Sequence, residues 1–464
     1  MTNSNIGNHT QGGTPLPQKL SVSFLERPYS AYSYSYPHKS SYGPLSPSAD
    51  LRLVWQSENR ESLFLYVHLP FCEMRCGFCN LFTRAGGHDE FDRYLDSLER
   101  QMKVMSDSTA GDRQISRMAI GGGTPTILSP TQLSRLFGML ENSFEVKPSL
   151  AETSIETSPS TATPDRLEFL KSIGVHRVSI GVQSFIDLEV HAIGRPQKIT
   201  EVHSALERIR AIGFPILNID LIYGQPHQTR SSWMESIDGA LRYQPEEIFL
   251  YPLYVRPETG LAKRGKNLSR EESFCQLCYR DAREQLLCEG YKQFSMRSFR
   301  KSITSQSQED ILVNQVSYSC QVDGMLGLGC GARSYTQALH YSSRFAVAMA
   351  GVHSILNDWM NQTDDDFGKA TWGIWLSEEE RQRRFVIQSL LNRDGLDCHR
   401  FRAEFDVEAT DQLPEMISLI EKGYLESTDR GWRLTEESMG LSDAIGPFLY
   451  SSASQSAIRE FTQL

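Results

Sequence analysis

The chain reads as an α/β protein: a partial TIM-type barrel of six strand–helix units, followed by a small α+β tail of winged-helix-like character. Three observations point there. First, short β-favouring runs alternate with amphipathic stretches from residue 64 onward. Second, helix start and stop signals punctuate those stretches. Third, after residue 374 two helical stretches lead into a hairpin pattern, "YLESTDRGWRLT", with Asp429-Arg430-Gly431 at its turn.

The elements follow in order. The strand runs are "FLYVHLP", "RMAIGG", "LAETSIET", "RVSIGVQS", "ILNIDLIY" and "EEIFLYPL". Between them lie stretches such as "DEFDRYLDSLERQMKVM" and "TPDRLEFLKSIG". Ser129-Pro130-Thr131-Gln132 offers an N-cap, a proline at N1 and a glutamine at N3. Thr163-Pro164 starts the next helix, and Gly174 and Gly213 stand where C′ glycines belong. Alternating strands and helices imply parallel pairing through right-handed crossovers. In that architecture reactive groups gather at the C-terminal ends of the strands. The expected organisation is an N-terminal Tyr/Ser/Pro-rich arm (1–55), a core barrel (56–300), a connecting, barrel-completing segment (301–370) and the tail (371–464). The arm has tyrosines but little aliphatic content, so it reads as a mobile arm or as a strap across the active face.

The composition is ordinary for a globular protein, 39% hydrophobic and 22% charged, with a net charge of −10. That balance argues against a nucleic-acid binder, and in the tail it favours a packing role. No apolar run reaches the length of a membrane span, and the N-terminus lacks the pattern of a signal peptide. Nine unevenly placed cysteines fit a reducing, cytoplasmic setting with thiols free for metal.

The most informative stretch is "HLPFCEMRCGFCNLF", in which Cys72, Cys76 and Cys79 stand at spacings of four and then three. Soft thiolates select zinc, copper(I) or iron–sulfur clusters. Structural zinc wants a fourth ligand nearby, and His68 and His88 are not at the usual offsets. A [4Fe–4S] cluster is usually held by four cysteines, so three would leave one iron open to a small molecule. Around this stretch, polar residues interrupt or end the apolar runs: Glu156 in "IETSP", Gln183 in "GVQSF", Arg195 in "GRPQ" and Asp220 in "NIDLIYGQP". The glycines of "GGGTPT", residues 121 to 126, let backbone approach a ligand closely. Cys275, Cys278, Ala282 and Leu286 recur at helical spacing, which reads as a buried face rather than a second cluster. Cys330 and Cys398 are isolated and have no assigned role.

Taken together, the Cys-x3-Cys-x2-Cys stretch after the first strand resembles the radical SAM superfamily. The longer string from "SIETSPSTATPDRLEFLKSIGVHRVSIGVQSF" to "NIDLIYGQPHQT", with "GLGCGARSY" and the tail, is similar to its coproporphyrinogen-dehydrogenase-like subgroup. That subgroup includes the oxygen-independent coproporphyrinogen III oxidase and the heme chaperone HemW. The resemblance implies a [4Fe–4S] cluster on Cys72, Cys76 and Cys79, whose open iron takes S-adenosylmethionine and whose electron cleaves it to a hydrogen-abstracting radical. It implies that Tyr66, Gly122 and Glu156 touch that cofactor and that the backbone near Arg333 touches its adenine. Phe78, Gly123, Thr124, Gln183, Arg195 and Asp220 match positions that contact a second S-adenosylmethionine in the oxidase. The expected partners are a small-molecule substrate, tetrapyrrole-like or carboxylate-bearing, and an external electron donor such as flavodoxin or ferredoxin.

The chain also departs from both relatives. Cys79 is followed by Asn80-Leu81, where the oxidase has a further cysteine. "VNQVSYSC" keeps Asn314 and Tyr318 but lacks the histidine and tryptophan of the heme-linked stretch in HemW. Lys292-Gln293 stand where the subgroup often has an acidic residue. These departures imply a divergent oxidoreductase with its own substrate, or alternatively a heme-delivery protein that retains the cluster.

Overall fold

The computed structural model of the chain describes residues 28–29, 32–111, 113–195, 197–264, 271–301 and 324–461. Asn314 and Tyr318, and the first part of the N-terminal arm, lie outside the described residues.

Six strands run Leu63–Leu69, Ile115–Gly122, Glu152–Thr157, Arg177–Gln183, Ile216–Tyr223 and Glu247–Pro252. They pair side by side in chain order, every pair parallel. Their residues are buried almost without alternation, as parallel strands covered on both faces require. Helices Phe91–Ser108, Pro130–Phe144, Pro164–Ser172, Ile199–Ile212 and Arg230–Leu241 lie between successive strands. The Ser129 signal is realised as a full capping box with Gln132. Gly213 caps its helix in the left-handed conformation, φ +75°. The helix Glu272–Cys288 buries Cys275, Cys278, Ala282 and Leu286 on one face and leaves Cys288 exposed.

The sheet continues past the six strands on both sides. Ser298–Lys301 and Tyr291–Gln293 add antiparallel to the sixth strand. On the other side Met325–Leu328 pairs parallel with the first strand. Arg333–Tyr335, Leu339–Ser342, Lys369–Trp375 and Gly43–Asp50 then follow as an antiparallel run. Among the described residues the result is one thirteen-stranded sheet with Gly43–Asp50 at one end and Tyr291–Gln293 at the other.

This order moves two expected boundaries. Residues 43–56 are not a free arm: they supply an edge strand and a helix whose Trp55 is fully buried and donates to the Tyr341 hydroxyl at 2.8 Å. The described part of the segment 301–370, from residue 324 on, widens the sheet, and the strand Lys369–Trp375 crosses the expected limit at residue 370. The physical reason is that an edge strand needs hydrogen-bonding partners on one side only, so "GPLSPSAD" serves despite its prolines.

The tail has the expected order. Helices Glu378–Leu390, Cys398–Phe405 and Glu415–Glu421 precede the hairpin Leu425–Thr428 and Gly431–Leu434, which Leu396–Asp397 extends to three strands. Its core includes Val386, Phe401, Met416 and Leu434, and also Tyr36 from the N-terminal segment. That segment ties tail to barrel: the Tyr34 hydroxyl donates to Leu391 O at 3.2 Å, and Tyr36 bonds Glu380. Beside it Arg297 of the barrel meets Asp443 of the tail at 2.6 Å, the two side chains 3% and 0% exposed. Tyr32 and Tyr34 flank the guanidinium at 4.6 and 4.8 Å.

Removing one member of such a pair strands a buried charge. Asp443→Ala is expected to cost about 3–5 kcal/mol of stability, read as a lower denaturant midpoint at unchanged fold. A wild-type midpoint would show that solvent reaches the pair.

Candidate functional site

The C-terminal ends of the six strands open into one cavity of about 780 Å³. All the residues singled out from the sequence line it: Cys72, Cys76, Cys79, Tyr66, Phe78, Gly122, Gly123, Thr124, Glu156, Gln183, Arg195, Asp220 and Arg333.

The three cysteines sit on the loop after the first strand. That loop has little regular structure and is held from outside. Gly77 N–H donates to Gly194 O at 3.3 Å, and Gly77 O accepts from Leu261 N–H at 2.6 Å. A Cβ on Gly77 would stand 2.7 Å from Ile193 O, so no larger residue fits between Cys76 and Cys79 at this point. A short parallel bridge of Phe71–Cys72 with Arg84–Ala85 closes the loop's base.

Each sulfur has one donor beside it. The Thr124 hydroxyl reaches Cys72 at 3.7 Å, Arg195 Nη1 reaches Cys76 at 3.4 Å, and the Thr83 hydroxyl lies 3.6 Å from Cys79. Burial pushes the Cys72 thiol up to about 12; the Thr124 bond opposes this, while Cys79 and Cys76 add to it. A bound metal would compensate the charge of the Cys72 thiolate. No three His, Cys, Asp or Glu side chains among the described residues converge on a single ion. A cluster asks for something else, one thiolate at each of three separate irons. The spread triad, its three sulfur-directed donors and the cavity in front of it fit that demand.

Gly122 and Gly123 turn the end of the second strand past this loop. Gly122 has φ +111°, and a Cβ there would lie 2.6 Å from the His68 ring; one on Gly123 would lie 2.3 Å from Phe71 O. The glycines therefore let backbone approach the cysteine loop as well as the cavity. His68 Nε2 lies 2.9 Å from Phe82 O, which can only accept, so this nitrogen carries the proton. Nδ1 is then the acceptor for the Tyr66 hydroxyl at 3.1 Å. Burial holds the imidazole neutral, its pKa lowered to about 4.

Two carboxylates face the cavity from deeper strands. Glu156 accepts from Gly122 N–H at 3.0 Å. Asp220 accepts from Asn218 Nδ2 at 2.7 Å, and Asn218 also reaches the Ser179 hydroxyl at 2.7 Å. Beneath them Arg177 pairs with Glu247 at 2.6 Å. Burial raises Glu156 to about 7, against the Gly122 bond, with Asp220 raising it further. Burial likewise raises Asp220 to about 6, against the Asn218 bond and Arg177. Glu156 is exposed, but the surface it shows opens into the cavity, so its surroundings are protein on most sides.

The sequence left several cavity residues unremarked. His38 and Lys39 come from the N-terminal segment, whose low aliphatic content hides that it folds. Lys39 Nζ donates to Asn80 O at 3.4 Å and lies 3.4 Å over the Phe345 ring. Tyr254 and Arg256 follow the sixth strand, at the kind of position that identified Arg195.

Both carboxylates hold protons more tightly folded than unfolded, so they stabilise the native state at low pH and lose that contribution as pH rises through their folded values. The metal-free protein should therefore melt at lower temperature as pH rises from about 5 to about 8, and Glu156→Gln should flatten the upper part of that slope. An unchanged slope in the variant would exclude Glu156 as its source.

Comparison with known proteins gives a consistent picture. Residues 66–239 match the radical SAM superfamily, and residues 376–439 match the HemN C-terminal domain. The heme chaperone HemW of Bacillus subtilis is 31% identical over 390 residues, covering 83% of this chain and 98% of the relative. The oxygen-independent coproporphyrinogen III oxidase of Escherichia coli is 29% identical over 427 residues, covering 87% and 90%. The solved structure of the Escherichia coli coproporphyrinogen III oxidase HemN matches with a TM-score of 0.74 at 25% identity, over 88% of this chain and 96% of that one. The chain belongs to the radical SAM superfamily, whose members use a [4Fe–4S] cluster with S-adenosylmethionine, and within it to the group that holds HemN and HemW.

Proposed function

We propose that this chain is an enzyme that cleaves S-adenosylmethionine reductively and abstracts hydrogen from an organic substrate of its own, tetrapyrrole-like or carboxylate-bearing. The observation that carries the reading is the convergence of three cysteines, the Gly122–Thr124 turn and two raised carboxylates around one cavity at the strand ends. When bound, the cluster and S-adenosylmethionine supply the electron transfer and the hydrogen-abstracting radical.

The chain's own residues bind, orient and exclude water. Cys72, Cys76 and Cys79 hold the cluster at the cavity wall. The Gly122–Thr124 turn, Glu156, Tyr66 and the backbone near Arg333 would hold S-adenosylmethionine, the first two at its amino group and the last at its adenine. Phe78, Gln183 and Asp220 line the remaining space for substrate or a second S-adenosylmethionine. Arg256, Arg333 and Arg344 give that space a cationic side, which suits a carboxylate-bearing ligand, and Lys39 lies beside them. Burial drives the Lys39 pKa well below its usual value, with Arg333 and Arg256 adding to the shift and Cys79 opposing it. An anionic ligand would restore that charge. An external one-electron donor of the flavodoxin or ferredoxin kind would reduce the cluster in a cytoplasmic setting. Among the described residues no helix is long and apolar enough to cross a membrane.

Heme delivery is the second reading, favoured by the near-complete coverage of the HemW relative. Against it, the stretch around Asn314 and Tyr318 lacks histidine and tryptophan.

Purified without oxygen, the protein is expected to be brown and to form 5′-deoxyadenosine from S-adenosylmethionine with dithionite. Cys76→Ala should lose both colour and product; full iron content in that variant would overturn the cluster assignment. A stable Soret band on heme addition, with no 5′-deoxyadenosine from an intact cluster, would decide for delivery.

A further inference from the structure

Every nitrogen of the Arg195 guanidinium has an acceptor. Nε donates to Gln197 Oε1 at 2.6 Å, Nη2 to Gly181 O at 2.6 Å, and Nη1 points at Cys76 Sγ at 3.4 Å. Gln197 is buried and is itself anchored, its Nε2 donating to Val182 O at 2.6 Å. The backbone is fixed as well: Arg195 N–H donates to Val190 O at 2.8 Å, and neighbouring Gly194 O accepts from Gly77 N–H at 3.3 Å, one residue past Cys76. None of the three acceptors is a carboxylate. Two neutral oxygens brace the planar group so that its remaining edge faces a ligand sulfur. One N–H on each nitrogen is thus taken, two by oxygens of the protein and one by Cys76.

We propose that Arg195 is a positioning residue for electron entry: it donates to the Cys76 thiolate and stabilises the reduced cluster. The inference rests on the cluster reading above. The step is a one-electron reduction by an external low-potential donor; no bond breaks and no proton moves. Three thiolates and a [4Fe–4S] core carry one net negative charge when oxidised and two when reduced. A cation hydrogen-bonded to a ligand sulfur favours the more negative state and raises the reduction potential. Gln197 serves the same end at one remove, by fixing the angle of the guanidinium.

The test is an EPR-monitored redox titration of the full-length protein, its cluster reconstituted without oxygen and without S-adenosylmethionine. Arg195→Met should lower the reduced-to-oxidised ratio at a fixed poise about tenfold, a shift of about 59 mV to more negative potential. Arg195→Lys, which keeps the charge without the fork, should fall between Arg195→Met and wild type. Gln197→Leu should shift in the same direction by less. A wild-type midpoint in Arg195→Met at full iron content overturns the inference. Should Arg195→Met fail to retain the cluster, Gln197→Leu decides: a lowered midpoint supports the role and a wild-type midpoint overturns it. Wild-type protein without a reducible cluster would remove the reading beneath the inference, a result separable from the others.

Discussion

Parallel pairing in unbroken chain order is the constraint from which the site follows. Each of the first five strands must be followed by a crossover that returns the chain to the other end of the sheet, so all six strands end on the same side. Residues far apart in sequence, such as Cys72, Glu156, Asp220 and Arg256, meet there because the sheet leaves them no other place. The near-continuous burial of the strands adds to this: a polar group within them needs a partner, as Asn218 has in Ser179 and Asp220.

The cysteine loop shows how an irregular segment is given a fixed shape. Its backbone bonds to the turn at Gly194 and to the helix start at Leu261, and glycines permit the close approach on both sides. The second strand's turn presses against the loop's start at Gly123, where an added Cβ would lie 2.3 Å from Phe71 O. Three parts of the barrel thus set the positions of the sulfurs before any cluster arrives. Preorganisation of this kind places the ordering cost on folding of the barrel rather than on cofactor capture.

What the sequence made legible is the part governed by local rules. The six strands carry β-branched runs, Ser129 carries its capping box, and the cysteine spacing is a local ligand pattern. Glu156, Gln183, Arg195 and Asp220 were legible because each interrupts or ends an apolar run, whereas Tyr66, Phe78 and Arg333 came only with the family resemblance. The rest depends on pairings that leave no local trace. "GPLSPSAD" forms a strand only because Lys369–Trp375 offers it an edge, and most of its side chains face solvent. Likewise Lys39 reaches the cavity because Tyr34 and Tyr36 are captured by the tail, an interaction more than 340 residues away in sequence. The reading of the tyrosines as a strap was available from composition; the reading of Lys39 was not.

That capture bears on how the chain is divided. The region matching the HemN C-terminal domain spans residues 376–439, yet Tyr36 completes the core of the tail, and Arg297 pairs with the buried Asp443 just past that region. Tyr254, on the cavity wall, contacts the same pair. A graft that exchanged the chain from residue 376 onward for a relative's would replace Glu380, the partner of Tyr36, together with Asp443, the counter-ion of Arg297. The transplantable unit is discontinuous in sequence and includes the tyrosine-bearing segment near the start of the chain.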